Sequence, residues 1–493
     1  MLKKRFLWLI IIALVVCGVS LRAQEKAAAP AGPEKVMLFD GEQLKVQLEG
    51  RIRCNLVQTQ NNVYQDTWAL WVNNQKWGYP LGITIPGKGA PAYWLPMIGQ
   101  LKKGALLFDV RETALGLNIQ GPKILGANSF AAIKIDFLGG YAQRFAAPTG
   151  GNVVRNPVPR IRNAYAGLEW KTEMFSFKFT FGQFNSLLIP VLAYPVNLSY
   201  LPYFEKGLLF SYDQGITIGM VIGPEKVNVM IDAAMVRATS GNDATSALYG
   251  GTTGPDVANI DERGTGEASM RPAWNGRIAF NLKPHPAFGL TLGVTGHFYN
   301  QNTYIAHTNT ALYGFAWTPA YIRTMDVQSK SIGAQAKLQV WVVVLEGAGW
   351  MGQAMQNYYA MFGVGVRESL SGLKNLPDKG RGGYAQLYIA LQKIGIPIMP
   401  YVGMAQEIKN NTPRIPYSLA AGATTTATYA LSTLGAATTS TILWNSEVNG
   451  GIWIFFSQYM RVGFDAGQVV TKFKGVNGTS TSMVYRTAAE FVF

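Results

Sequence analysis

The chain is poor in charge. Only 14% of its 493 residues are Asp, Glu, Lys or Arg, whereas soluble domains carry about 25%. It has two cysteines, and Cys17 lies in the N-terminal apolar run, so loss of that run leaves Cys54 alone and excludes an internal disulfide. Its three histidines, His285, His297 and His307, occupy no metal-ligand spacing and stand beside no convincing nucleophile in sequence. Catalysis and a resident cofactor or metal therefore find no support, and His297 reads as a hydrogen-bonding residue on the polar face of a strand. Beyond residue 23, no apolar run approaches the ~20 residues of a membrane helix.

What is present is 48% hydrophobic residues, 12% aromatics and 54 glycines. Lys3, Lys4 and Arg5 precede an apolar stretch over 6–19, and Ala23 offers a small residue for cleavage. That pattern predicts a secretory leader over 1–23, too short for a mature membrane helix. A short Ala/Pro-rich segment over 24–42 follows, and one domain is expected over 43–493. The net charge is +15; loss of Lys3, Lys4, Arg5 and Arg22 leaves 39 basic against 28 acidic residues, or +11. An exported chain rarely meets nucleic acid, so none is expected as a partner, and the surplus points to a cationic interior that attracts small anionic or hydrophilic solutes.

The last strand is the clearest. From Met483 to Phe493 one parity is apolar or near-neutral and the other carries Arg486 and Glu490. In water an exposed apolar strand face invites aggregation; in a closed barrel walled by lipid it is required. The terminal Phe493 resembles the C-terminal signal of bacterial outer-membrane barrels, which implies outer-membrane lipids and the barrel-assembly machinery as partners. Counting along the chain gives about sixteen strands: 44–54, 106–120, 129–141, 160–171, 175–185, 208–222, 226–238, 274–282, 289–299, 332–345, 350–359, 384–393, 398–408, 442–456, 460–474 and 483–493. Short turns, placed at 121–126, Thr172, 223–225, 284–286, Gly347 and Gly395, alternate with long loops. An even count puts both termini on the short-turn side. The predicted fold is an all-β transmembrane antiparallel barrel with short periplasmic turns and long extracellular loops. In 175–181 every odd residue is Phe, and 208–222 places Leu208, Phe210 and Tyr212 on the same outward face as Ile216 to Ile222. A water-soluble β-sandwich is the competing architecture, since its strands alternate too.

Four stretches carry a family resemblance: Arg111-Glu112-Thr113-Ala114-Leu115-Gly116, Lys134-Ile135-Asp136-Phe137, Arg160-Ile161-Arg162-Asn163-Ala164-Tyr165 and Gly182-Gln183. In order and spacing this part of the chain resembles the DcaP-like outer-membrane porins. Ala114 stands where that family has a second arginine, and Lys134 replaces an acidic residue. The resemblance implies a homotrimer of sixteen-stranded channels that pass small anionic solutes such as dicarboxylates.

Arg160 and Arg162 share a strand face and are placed either in the lumen, as an anion-attracting ladder, or at the barrel rim. Glu169 and Lys171 fall on the other parity and need a bulge to turn inward. Arg111, Lys134, Lys178, Arg277 and Lys337 join the ladder by parity, and Arg486 and Glu490 become inward residues of the closing strand. Asp136 and Asp232 either oppose these cations across a constriction or pair with them. The aromatic loop 55–103 is a plug, a solute-guiding platform or packing against the barrel mouth or a neighbouring subunit. The expected function is a passive channel favouring anions; the alternative is a plugged structural or adhesive barrel whose aromatic loop and Thr-rich 421–441 bind a surface partner.

Overall fold

A computed structural model describes residues 36–41, 43–61, 63–64, 71–72, 79–80, 94–95, 104–139, 158–190, 196–199, 203, 206–237, 270–306, 322–355, 358, 360, 366–368, 375–410, 442–473 and 479–493. The leader, most of the aromatic loop and the Thr-rich segment lie outside these residues. Sixteen antiparallel staves close into one barrel. They are β1 (Lys45–Thr59), β2 (Leu106–Asp109 and Ala114–Ile124), β3 (Ala127–Gly139), β4 (Val158–Lys171), β5 (Phe175–Asn185), β6 (Tyr212–Ile222), β7 (Val227–Val236) and β8 (Ala273–His285). Then follow β9 (Phe288–Ala306), β10 (Ile322–Val340), β11 (Val343–Gln353), β12 (Lys379–Ile389), β13 (Ile398–Lys409), β14 (Ile442–Phe455), β15 (Met460–Phe473) and β16 (Ser480–Val492).

Each stave pairs with its sequence neighbours, and β1 pairs with β16 from Arg51 opposite Val492 to Thr59 opposite Val484. Phe493 completes this seam: its N–H donates to Gly50 O at 3.0 Å and its carbonyl accepts from Gly50 N at 2.8 Å. Below that point the edge of β1 is covered by a short strand, Val36–Asp40, paired from Val36 opposite Leu48 to Asp40 opposite Lys45. Part of the 24–42 segment is thus a wall element.

The alternation of faces holds. Ile278, Leu292, Ile332, Leu345, Met351, Met404, Val448 and Phe464 are all exposed on the outer face, where only hydrocarbon makes such exposure favourable. The turns use local chemistry: Gly126 and Gly223 take positive φ of 79° and 107°, and Thr172 Oγ1 accepts from Phe175 N at 3.1 Å.

Some sequence expectations are corrected. The β10–β11 turn lies at Trp341-Val342 rather than at Gly347, so β11 begins at Val343, not 350. Trp341 adopts φ of 55° with no Gly, Asn or Pro to announce it, and Gly347 sits in mid-strand opposite Ala336. β6 begins at Tyr212, not 208; Leu208 and Phe210 are buried in the preceding loop and do not meet lipid. β2 is broken between Asp109 and Ala114, and Arg111 stands in that break.

Because Leu292 lies mid-belt between Phe280 and Ala336, Leu292→Arg is expected to cost about 2–4 kcal/mol of folding free energy in lipid. Denaturant titration of the vesicle-refolded barrel measures it; an unchanged midpoint would place this face away from hydrocarbon.

Candidate functional site: a lumen crossed by one loop

The loop joining β5 to β6, residues 186–211, defines the interior. Its neck is closed by Ser186 N donating to Ser211 O at 3.1 Å. From there it touches polar-parity side chains of staves far round the ring. Gly207 O accepts from Trp350 Nε1 of β11 at 3.0 Å, Val196 N donates to Gln386 Oε1 of β12 at 3.0 Å, and Val196 O accepts from Trp453 Nε1 of β14 at 3.0 Å. Leu198 O accepts from Arg53 Nη2 of β1. A segment that meets β11, β12, β14 and β1 through one face of a closed sheet must lie inside it.

Two backbone features make room. A Cβ at Gly403 would sit 1.9 Å from Tyr203 Oη, and one at Gly207 would sit 2.4 Å from Gly383 N. Only glycine permits either approach. Tyr203 itself has φ of 59°, a costly conformation for an aromatic residue. It is held there by Tyr203 Oη donating to Asn449 Oδ1 at 2.7 Å and by stacking on Tyr384, 5.5 Å between centroids.

The anchor is ionic. Lys206 Nζ lies 2.7 Å from Glu447 Oε2, and Arg486 Nη1 lies 2.8 Å from Glu447 Oε1 and 2.9 Å from Asp465 Oδ1. Tyr401 Oη and Asn449 Nδ2 donate to Asp465 at 2.7 and 2.8 Å. Two bases and two acids thus form a neutral, buried cluster. Burial pushes the loop ammonium of Lys206 down, with Glu447 opposing that shift. Such a cluster is weak evidence of net stability, but losing one member would strand a buried charge. A second cluster gathers Glu490, which meets Arg461 at 2.5 Å and Arg53 at 3.5 Å, while Arg53 also lies 2.9 Å from Glu112.

The described residues of 186–211 therefore pack on the inner face of β11–β16 and β1, and Leu187 packs on Ala234, Val236, Ala273 and Tyr299 of β7–β9. Above them, Val63 and Val72 of the aromatic loop pack on Val57, Val469 and Val484; Trp68, Trp77 and Tyr93 of that loop lie outside the described residues. The predicted ladder stands on the other staves, β2–β5, β8 and β10. Asp136 takes Arg160 in a bidentate pair, 2.9 and 2.8 Å, and Arg162 at 3.6 Å. Arg162 Nε donates to Tyr212 Oη at 2.8 Å, and both guanidinium carbons lie within 5.7 Å of that ring's centroid. Lys134 pairs with Glu49, Arg111 with Asp109 at 2.8 Å, Arg277 with Asp232 at 2.7 Å and Lys337 with Glu346 at 3.1 Å. Lys178 sits 4.5 Å over the Phe130 ring. Asp136 and Asp232 are thus partners of the cations beside them.

The parity break in β4 is a β-bulge. Ile161 opposes Ile135 and Asn163 opposes Lys134, with Arg162 inserted between. From Asn163 onward the inward set is shifted by one, so Glu169 turns in and accepts from Ser176 Oγ at 3.1 Å.

The ion pairs are lopsided. Arg160 is 31% exposed against 0% for Asp136, Lys337 33% against 0% for Glu346, and Arg461 31% against 1% for Glu490. In these pairs the carboxylate is sunk into the wall and the cation faces water. Lys134–Glu49 and Arg277–Asp232 are evenly shared. Arg486 and Glu490 belong to the buried clusters under the loop.

Sequence reading missed Tyr203 and Lys206, which sit in a loop with no periodicity, and also Glu447, Asp465, Arg53 and Glu112. It also missed Ser329 beside His297. His297 Nε2 lies 3.1 Å from Ser329 Oγ and Nδ1 lies 2.7 Å from Asn275 Oδ1. Ser329 is fully buried and donates to Ala354 O at 2.8 Å, and Tyr358 Oη lies 3.2 Å from His297 Nδ1, so this trio fastens Ala354 and Tyr358 to the wall.

No family model matches the chain, and no curated protein matches it. Among solved structures, the crystal structure of the outer membrane channel DcaP of Acinetobacter baumannii matches 92% of this chain and 99% of its own at 12% identity, with a TM-score of 0.58. Outer-membrane expressed OmpT of Vibrio cholerae (10% identity, 92% and 99% coverage, TM-score 0.46) and the anion-selective porin from Comamonas acidovorans (10%, 92% and 100%, 0.46) are also similar. The chain has the porin-type fold of the DcaP channel, a multi-pass β-barrel of the outer-membrane kind.

The socket is testable. Gly403→Val is expected to displace Tyr203 and free the loop, which added protease would then cut within 186–211 in the folded barrel. Cleavage equal to that of the unsubstituted barrel would refute this docking.

Proposed function

We propose that the chain is a non-enzymatic outer-membrane porin, exported by its 1–23 leader, whose off-centre lumen passes small hydrophilic solutes and favours anions. One observation carries the anion preference. In Arg160–Asp136, Lys337–Glu346 and Arg111–Asp109 the carboxylate is buried and its cationic partner is presented to water, while Lys134–Glu49 and Arg277–Asp232 share exposure evenly. A passing ion feels the nearer, exposed charge more strongly than the one screened behind it. An almost balanced set of ion pairs therefore presents a net positive surface. Arg160, Arg162, Lys134, Arg111, Lys178, Arg277 and Lys337, with Asp136 and Asp232, are assigned to the pore lining; Arg486 and Glu490 anchor the loop.

The DcaP-like resemblance supports a homotrimer, and the Phe493 strand suits recognition by the barrel-assembly machinery. Small organic acids are the solute class that fits paired guanidiniums, whose planar forks match carboxylates. Chemical cross-linking of the membrane-embedded protein is expected to give a trimer ladder; a single-subunit band alone would remove that assignment.

Reversal potentials in planar bilayers under a salt gradient test the selectivity. The unsubstituted barrel is expected to favour chloride over potassium. Arg160→Gln/Arg162→Gln should lower that ratio severalfold, and Asp136→Asn should raise it. Cation preference, or the same ratio in all three, would overturn the assignment. Liposomes that fail to swell in sugars or organic acids would point instead to a plugged barrel.

A further inference from the structure

The outer face carries a basic patch at the loop-side edge of the apolar belt. Lys330 of β10 opposes Gln353 of β11, and Gln353 opposes Lys379 of β12. The three residues form one register row, which sets the two lysine Cα atoms about 10 Å apart. Arg381, two residues along β12, opposes Met351 and lies on the same outward parity. Lys330, Lys379 and Arg381 are exposed, and none makes an ion pair with another described residue.

Below this row the outward residues become apolar at once. On β10 they are Ile332, Ala334, Ala336, Leu338 and Val340. On β11 they are Met351, Gly349, Gly347, Leu345 and Val343, and on β12, after Arg381, Gly383, Ala385, Leu387 and Ile389. Ile332 to Val340 spans roughly 27 Å along the strand and about 20 Å along the normal at a ~40° tilt, close to the height of a barrel's apolar band. The cations therefore stand at headgroup level. The nearby outward acid, Asp326, is engaged by Arg271 at 3.6 Å. The opposite rim differs in kind: there the exposed Lys226 and Lys283 share the turn side with the exposed Glu173 and Glu225.

We infer that Lys330, Lys379 and Arg381 form a binding site for the phosphate groups of an outer-leaflet glycolipid, whose acyl chains lie on the apolar face of β10–β12 below. The inference rests on the outer-membrane placement, in which the loop side faces the outer leaflet. Its physical basis is attraction between clustered cations and anionic headgroups at a low-dielectric boundary.

The test is native mass spectrometry of the barrel after extraction from phosphatidylcholine vesicles doped with a bis-phosphorylated glycolipid, or with the same glycolipid after phosphatase treatment. The unsubstituted barrel is expected to retain the phosphorylated form alone. Lys330→Gln/Lys379→Gln/Arg381→Gln should retain at least about tenfold less, whereas Lys226→Gln/Lys283→Gln should retain as much as the parent. Equal retention by the triple variant, or equal retention of the dephosphorylated glycolipid, would overturn the site. Planar-bilayer conductance is read in parallel. The triple variant should conduct like the parent, which shows that it is folded; absence of conductance in the parent would count against the porin reading and leave the retention comparison intact.

Discussion

Lipid offers a peptide group no hydrogen-bond partner, and the rest of this architecture follows from that deficit. Every wall strand must be paired on both edges, so the sheet has to close. Closure falls on β1 and β16, and the last residue of the chain supplies both its N–H and its carbonyl to Gly50. The added strand Val36–Asp40 extends the same logic to the part of β1 that the sheared seam leaves open. Once the wall is closed, its outer face has to be apolar and its inner face is released for polar and charged residues.

That inner face is used unevenly. On one side Tyr203 and Lys206 are held against β12–β16 by a neutral cluster of Lys206, Glu447, Arg486 and Asp465 and by aromatic stacking. Elsewhere Arg111, Arg160 and Lys337 stay partly hydrated over counter-charges that are buried. Charge pairing and charge presentation are thus separable: the pairs let the side chains exist in the wall, and the order of burial decides which sign a solute meets.

Much of the wall was legible from sequence because strand parity and connection length are local signals. Phe175 to Phe181, the β10 alternation and the closing strand all read correctly. What misled was local too. Trp341-Val342 turns without a turn residue because the β10–β11 register, Leu338 against Leu345, leaves no other place for the reversal. Leu208 and Phe210 continue the apolar parity of β6 yet face the protein, since a loop folded into a barrel sees an apolar environment that parity cannot tell from lipid. Of the interior residues, those on strands carried a polar-parity signal; Tyr203 and Lys206 carried none, because their positions are set by glycines more than 170 residues away in sequence, at Gly383 and Gly403.

The bulge at Arg162 has a consequence for how such walls change over time. In a strand whose two faces meet opposite solvents, a substitution alters one side chain, whereas one inserted residue exchanges the faces of everything beyond it. Above Arg162 the inward set is even-numbered and below it odd-numbered. A single inserted or deleted codon in the channel wall therefore rewrites a whole run of lumen chemistry in one step, and the apolar residues of both parities in Ala164-Tyr165-Ala166-Gly167-Leu168 are the kind that survive the exchange.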